Sequence, residues 1–400
     1  MTDKIYWLWL QTALGISNGV KSDEIISYFS DAKSLFFAGE REWKLSGVFT
    51  PKQIERLSKT KFTAAEKIAA QCAENGWKIV TPEDKEYPSL LFKLPNLPLA
   101  LYVDGSLDCL KNRITVAIVG SRKTSRNSAC IARALSASLA RSGAVIVSGG
   151  ALGIDSSAHL GALDEKSPTV AVLGCGFNCK YLSENQPLRN SISKNGAVVT
   201  EYPPDTDAQA YHFPYRNRLI SGLSYGTVVI EAGAKSGSLI TANLALEQGR
   251  DVFAVPGDIA SSFHVGANKL IRDGAKPVFN AMDVLEEYAM RFPDMLDIDK
   301  IENELKMKTY ADPPVMQKLE DNPKRSEKGS VEVVEFDEPP LLSENAKKIY
   351  RAFDTPTMQA EEIIIKTGLN TVDFMSAITE LELLGIVMSG AGKVYTIKRN

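Results

Sequence analysis

A chain of 400 residues that is 44% hydrophobic and 24% charged is too long for one ordinary core, and its composition excludes a fibrous or disordered protein. Its five cysteines, Cys72, Cys109, Cys130, Cys175 and Cys179, are odd in number and scattered, which fits a reducing compartment better than a disulfide framework. The formal net charge of −3 argues against a polyanion partner only on average, because residues 111–280 hold 18 Lys+Arg against 12 Asp+Glu, an excess of +6, and the rest of the chain carries −9.

The N-terminal residues MTDKIYWLWLQ hold a short apolar run without the basic start, long apolar stretch and cleavage site of a secretory leader, and no stretch approaches a membrane span. A cytoplasmic protein is expected. Apolar residues then recur at spacings of three and four in Ile25, Ile26 and Phe29 and in Ile54 and Leu57, so residues 1–76 read as a helical domain. Within it, Leu45-Ser46-Gly47-Val48 followed by Gln53-Ile54-Glu55-Arg56-Leu57 is a degenerate match to a helix-hairpin-helix of the SAM-like kind, and a plain helical turn is the favoured reading. From Trp77 to Val103 the chain is rich in Pro and Leu, as in an extended connector leading into a sheet.

Short β-branched runs follow at Ile114–Val119, Ala144–Val147, Thr169–Leu173, Ala197–Thr200, Thr227–Ile230 and Val252–Val255. Helix-compatible segments lie between them at Arg126–Arg141, Ser156–Leu163, Leu239–Gln248 and Ala267–Arg272. Continuous apolar strands imply burial on both faces, and their alternation with helices predicts an α/β fold, a Rossmann-like doubly wound and mainly parallel sheet, over 77–291. Residues 292–340 turn polar and read as a linker. Over 341–400, helices are expected at Glu344–Phe353, Gln359–Thr367 and Val372–Leu384, with a hairpin through Ser389–Lys393 into Val394–Ile397, the pattern of a winged helix.

In open α/β sheets ligands bind beyond the carboxyl ends of the strands, where helix N-termini collect unpaired N–H groups. After the first run comes Gly120-Ser121-Arg122, which matches neither a dinucleotide fingerprint nor a Walker A loop, but offers a phosphate a bare backbone, a hydroxyl and a guanidinium fork. After the second comes Ser148-Gly149-Gly150-Ala151-Leu152-Gly153-Ile154-Asp155, a glycine-rich turn with Asp155 expected to cap the next helix. The segment Phe213-Pro214-Tyr215-Arg216-Asn217-Arg218-Leu219-Ile220-Ser221 places an aromatic ring beside two arginines, the ingredients of a single-strand track. After the fifth run, Lys235-Ser236-Gly237-Ser238-Leu239-Ile240-Thr241 is a further Gly/Ser turn with a cation. A single mononucleotide uses one or two such anion sites, whereas a chain of phosphates uses them all.

Taken in order, these segments and Pro256-Gly257-Asp258 resemble the DprA (Smf) family over roughly residues 87–283. The resemblance implies a homodimer that binds single-stranded DNA taken up in natural transformation, protects it and helps load the RecA recombinase. It implies that Arg122 and the Gly149-Gly150 turn hold phosphates, with Arg216, Arg218 and Lys235 extending a positive groove. It implies no catalysis and no cofactor.

The rival reading is an enzyme. Gly226-Thr227-Val228-Val229-Ile230-Glu231 resembles the Gly-Thr-x-x-Glu element of nucleotide-cleaving proteins with a Rossmann-like fold, with one extra residue before the Glu. No second acid or nucleophile accompanies Glu231, so a capping role, or pairing with a cation such as Lys235, is favoured. A packing role is likewise expected for His159, and a loop-shaping one for His212 beside Phe213; His264 has no identifiable partner. Cys175 and Cys179 have no second Cys/His pair nearby, so no metal is expected. The candidate recognition helix 371–384 carries Asp373, Glu380 and Glu382 and no Lys or Arg, which is the wrong charge for a phosphate backbone and predicts a protein-contact or regulatory role. A module for a small free nucleotide is the third reading, and the spread of cations over several loops argues against it.

Overall fold

A computed structural model describes residues 3–16, 19–181, 183–297, 342–355, 357–383, 386–390 and 394–397. The chain forms two compact units, 1–316 and 317–400.

The first unit opens with five helices, α1 (Lys4–Leu14), α2 (Ser22–Phe29), α3 (Ala32–Ser46), α4 (Pro51–Lys59) and α5 (Phe62–Glu74). In α1 the run Trp7, Leu8, Trp9 and Leu10 is buried on every side, which makes it the hub around which the others pack. Helix α4 starts on a capping box in which Thr50 and Gln53 satisfy each other's backbone N–H groups, with Pro51 in the first turn where it lacks no bond. The turn read as a degenerate hairpin, around Gly47, joins α3 to α4. These helices share a core with Leu99, Ala100 and Tyr102, and Gln11 Nε2 donates to the carbonyls of Ala100 and Glu201, each at 3.1 Å. The helical segment and the sheet thus belong to the same compact unit.

The sheet runs β1 (Lys78–Val80), β2 (Leu101–Gly105), β3 (Thr115–Val119), α6 (Arg126–Arg141), β4 (Val145–Ser148), α7 (Ile154–Asp164), β5 (Thr169–Leu173), α8 (Gln186–Asn195) and β6 (Ala197–Thr200). It continues through α9 (His212–Gly222), β7 (Gly226–Val229), α10 (Gly237–Glu247), β8 (Asp251–Ala254), α11 (Val265–Arg272), β9 (Lys276–Pro277) and α12 (Met282–Ala289). The strand order is β1-β2-β6-β5-β4-β3-β7-β8-β9, parallel from β6 to β9 and antiparallel at β2 and β1. The connection reverses direction between β3 and β7, so their carboxyl ends frame a topological switch point. The sequence reading of a doubly wound sheet is correct. The connector 77–103 does more than expected, since it adds β1 and β2 to the edge, with Val103 opposite Val199.

The continuous apolar runs are explained by two layers. In β3, Ala117 and Val119 face a core with Leu219, Ala242 and Ala267 of α9, α10 and α11, whereas Val116 and Ile118 face Leu135, Ala158 and Leu285 of α6, α7 and α12. Each such buried Val, Leu or Ile side chain contributes about 1.5–3 kcal/mol.

The second unit holds α13 (Glu344–Ala352), β10 (Thr357–Gln359), α14 (Ala360–Thr367), α15 (Thr371–Leu383), β11 (Val387–Gly390) and β12 (Val394–Ile397). Ile349, Ile363, Phe374, Ile378 and Leu381 form its core, and the antiparallel strands lie in the order β10-β12-β11. Most of the expected linker, and the turn of the expected hairpin, lie outside the described residues.

Candidate nucleic-acid interface

Loops at the carboxyl ends of β3, β4 and β5 meet at a small depression. Arg122, Gly149, Gly150, Phe213 and Arg216 all line it, so five of the expected residues are brought together. The β3 loop is held down from behind: the Ser121 N–H donates to the Glu231 carbonyl at 2.9 Å, and the Ser121 hydroxyl donates to the Lys123 carbonyl at 2.8 Å. Gly120 packs against Ile154 at the start of α7. In the β4 loop, Gly153 has φ +83°, and a Cβ there would lie 2.4 Å from the Ser121 carbonyl oxygen, so both the backbone conformation and the approach of the two loops demand glycine.

At the mouth, exposed Arg122 sits over the Phe213 ring, 5.1 Å from its centroid, and donates to the Tyr181 hydroxyl at 2.9 Å. Tyr181 in turn packs on Phe213 with ring centroids 5.0 Å apart. A cation, two aromatic faces and a bare glycine backbone are the groups that bind a phosphate with its neighbouring base.

Arg216 departs from expectation. It is 4% exposed, and its Nη1 donates to the carbonyls of Gly149, at 2.8 Å, and Val172. It stitches two strand ends together beneath the depression and supplies charge from below. Burial pushes its guanidinium down to about 10, with Asp155 pulling the other way, so it stays charged at neutral pH. Asp155 lies inside α7 and does not cap it, because Gly153 occupies the cap position. Its carboxylate accepts from the Ala151 N–H at 3.3 Å, and burial raises its affinity for a proton while Arg216 opposes that shift. The two charges close over Gly149, where a Cβ would lie 2.6 Å from Asp155 Oδ2 and 3.0 Å from Arg216 Nη1.

Arg218 is not part of a groove. It is 3% exposed, donates through Nη2 to both Glu201 carboxylate oxygens at 2.7 and 2.6 Å, and stacks 4.3 Å from the Tyr215 ring centroid. Ser221, Ser148 and Thr241 are also buried and withdrawn from any ligand; the Ser148 hydroxyl donates to Ile118 and that of Ser221 to carbonyls of its own helix. The reason is helical and strand phase, which spacing alone does not reveal.

The β7 loop keeps its cation at the surface. Lys235 is exposed, Ser236 caps α10 by accepting from the Ser238 N–H, and Ser236 and Ser238 share a hydroxyl hydrogen bond of 2.7 Å. Gly237 is exposed at the first turn of α10, and Asn217 Nδ2 donates to its carbonyl at 3.4 Å, tying α9 to this loop. These residues do not line the depression but share its edge of the sheet.

Glu231 is wholly buried, its Oε2 accepting from the Ser125 N–H at 3.1 Å; it braces the β3 loop and forms no ion pair with Lys235 among the described residues. His159 is buried with Nδ1 against Thr169 Oγ1 at 2.8 Å, and burial, helped by the charge of Arg216, pushes it down to about 3. Among the described residues no cluster of three or more His, Cys, Asp or Glu side chains can hold a metal ion, and no helix is long and apolar enough to cross a membrane. Sequence reasoning missed Tyr181 and Arg189, which also line the depression. Neither follows a β-branched run directly, so only the path of the β5 loop and of α8 reveals them.

The sequence pattern of the family described as DNA recombination-mediator protein A matches residues 78–289. The DNA processing protein DprA of Bacillus subtilis is 39% identical over 225 residues, which cover 56% of this chain and 76% of that one. Protein Smf of Synechocystis is 34% identical over 322 residues, covering 80% and 79%. The X-ray structure of DNA processing protein A from Streptococcus pneumoniae superimposes with a TM-score of 0.63 at 34% identity, over 72% of this chain and 98% of that one.

Proposed function

Because the chain belongs to the DNA recombination-mediator protein A family, we propose that it processes DNA by binding single strands along the carboxyl edge of its parallel sheet. The observation that carries this reading is the Arg122–Phe213–Tyr181 stack above the Gly149-Gly150 turn, with charged Arg216 beneath. Arg122 and Lys235, exposed on separate loops, attract the phosphates of the strand, and the N-terminus of α10, next to Lys235, offers backbone donors. Such binding tolerates most sequences and prefers flexible strands to duplex.

The finer steps belong to the same reading: protection of incoming DNA during natural transformation, delivery to RecA, and action as a homodimer. They rest on family membership. The helix, strand and hairpin order of residues 342–397 supports reading that unit as a winged helix, and the acidic residues of α15 favour a protein contact for it. Binding without catalysis is favoured because Glu231 is buried, gives one carboxylate oxygen to the Ser125 amide and is not among the residues lining the depression.

Fluorescence anisotropy of a labelled strand of about twenty nucleotides, against the same sequence as duplex and at several salt concentrations, tests the proposal. Binding that prefers the single strand and weakens with salt is expected. Absence of binding by folded protein at low salt overturns it and brings forward nucleoside monophosphate cleavage, abolished by Glu231→Gln.

A further inference from the structure

We propose that the depression is a phosphomonoester site, built for a terminal phosphate rather than for an internal phosphodiester. This deepens the strand-binding reading and rests on it only for the source of the ligand.

Three guanidinium groups line the depression, those of Arg122, Arg189 and Arg216. Arg122 stands at the mouth, whereas Arg189 of α8 is 6% exposed and Arg216 4% exposed. Arg189 donates through Nη2 to the Tyr181 carbonyl at 3.1 Å. The Nε atoms of both Arg189 and Arg216 are buried without a hydrogen-bond partner, as are Nε and Nη1 of Arg218, so what sets the depression apart is its shortage of carboxylates. Burying a guanidinium is costly unless an anion and hydrogen-bond acceptors compensate for the water it loses. Elsewhere in this fold Arg218 has its charge matched by a buried carboxylate, both Glu201 oxygens accepting from its Nη2. Among the described residues Arg189 has no carboxylate in an ion pair, and only Asp155 opposes the cations from within the floor.

With Asp155 ionised, three cations and one anion leave two positive charges unmatched around the depression. An internal phosphodiester brings one negative charge, whereas a phosphomonoester brings about −1.5 to −2 near neutral pH and three strong acceptor oxygens. The monoester is therefore the better match in charge, and its additional oxygen gives the guanidinium groups an acceptor that a diester lacks. A strand end and a free mononucleotide share this chemistry.

The test uses the full chain and a thymidine strand of about twenty nucleotides in three forms, with hydroxyl ends, with a phosphate on the first nucleotide, or with a phosphate on the last. Adenosine and adenosine monophosphate are titrated beside them by calorimetry. At least one phosphorylated end is expected to bind about tenfold tighter than hydroxyl ends, which is the worth of one charge-assisted hydrogen bond. Arg189→Gln is expected to bring that ratio to about one and Arg189→Lys to keep part of it. Tighter binding of the phosphorylated strand than of adenosine monophosphate assigns the site to strand ends, and equal binding assigns it to free nucleotides. If wild-type protein binds all three strands equally, and adenosine monophosphate no better than adenosine, the proposal is overturned while strand binding stands. If no strand binds at all, the strand-binding reading fails, and the adenosine pair still decides the phosphomonoester site. The wild-type comparison decides the matter even if the buried Arg189 variants do not fold.

Discussion

Along α9, Arg216 and Arg218 are separated by one residue and reach different regions of the molecule. Two helical positions turn the side chain by about 200°, so the two arginines leave opposite sides of the helix. Arg216 ends beneath the sheet-edge depression, against backbone carbonyls. Arg218 ends at the junction with the N-terminal helices, its Nη2 donating to both carboxylate oxygens of Glu201, whose own carbonyl accepts from Gln11 of α1. The comparison teaches how to separate structural from functional charge inside one fold. At the junction the charge has a carboxylate of its own. At the depression the cations outnumber the anions, and the remainder is available to a ligand.

The largest expected effect breaks the structural side. Arg218→Ala leaves the Glu201 carboxylate buried and unpaired, and should cost about 3–5 kcal/mol in urea unfolding. The double variant Arg218→Met with Glu201→Leu should recover most of that loss. Strand affinity per folded molecule should stay within about twofold in both.

A pH titration sharpens the depression side. The His159 ring, pushed down to about 3, remains neutral in the fold, while an unfolded histidine protonates near pH 6.5. Between those values the unfolded state binds more protons, so stability is full above about pH 6.5 and falls as the pH drops toward 3, with a slope of up to about 1.4 kcal/mol per pH unit from this residue. His159→Gln should flatten the stability profile in that window. An unchanged profile would show that His159 does not sit neutral beside Arg216.

Arg122→Ala tests the mouth of the depression. Strand affinity should fall about tenfold and the slope of log affinity against log salt should drop by about one, with stability changed by no more than about 0.5 kcal/mol. The smallest effect is Lys235→Ala, about threefold in affinity at low salt, vanishing as salt screens it. If Lys235→Ala proved costlier than Arg122→Ala, the main contact would lie at the α10 loop and not at the depression.

What the sequence determined by itself is the material of the interface. Apolar runs such as Ile114–Val119 and Ala144–Val147 marked strands buried on both faces, and the glycine-containing segments after them marked the sheet edge. Elements too short for a periodic signal escaped, among them β1 and β10 with three residues each. Which cations face a ligand was a matter for the tertiary structure. Residue type and spacing put Arg216, Arg218 and Ser221 on one helix, but the rotation of α9 against the sheet and against α1 chose the partner each would meet. Arg189 lay on a polar segment with no motif, and only the packing of α8 beside the β5 loop brought it to Tyr181. A linear pattern records which charges are present; burial and the partners gathered in three dimensions decide which of them remain unmatched.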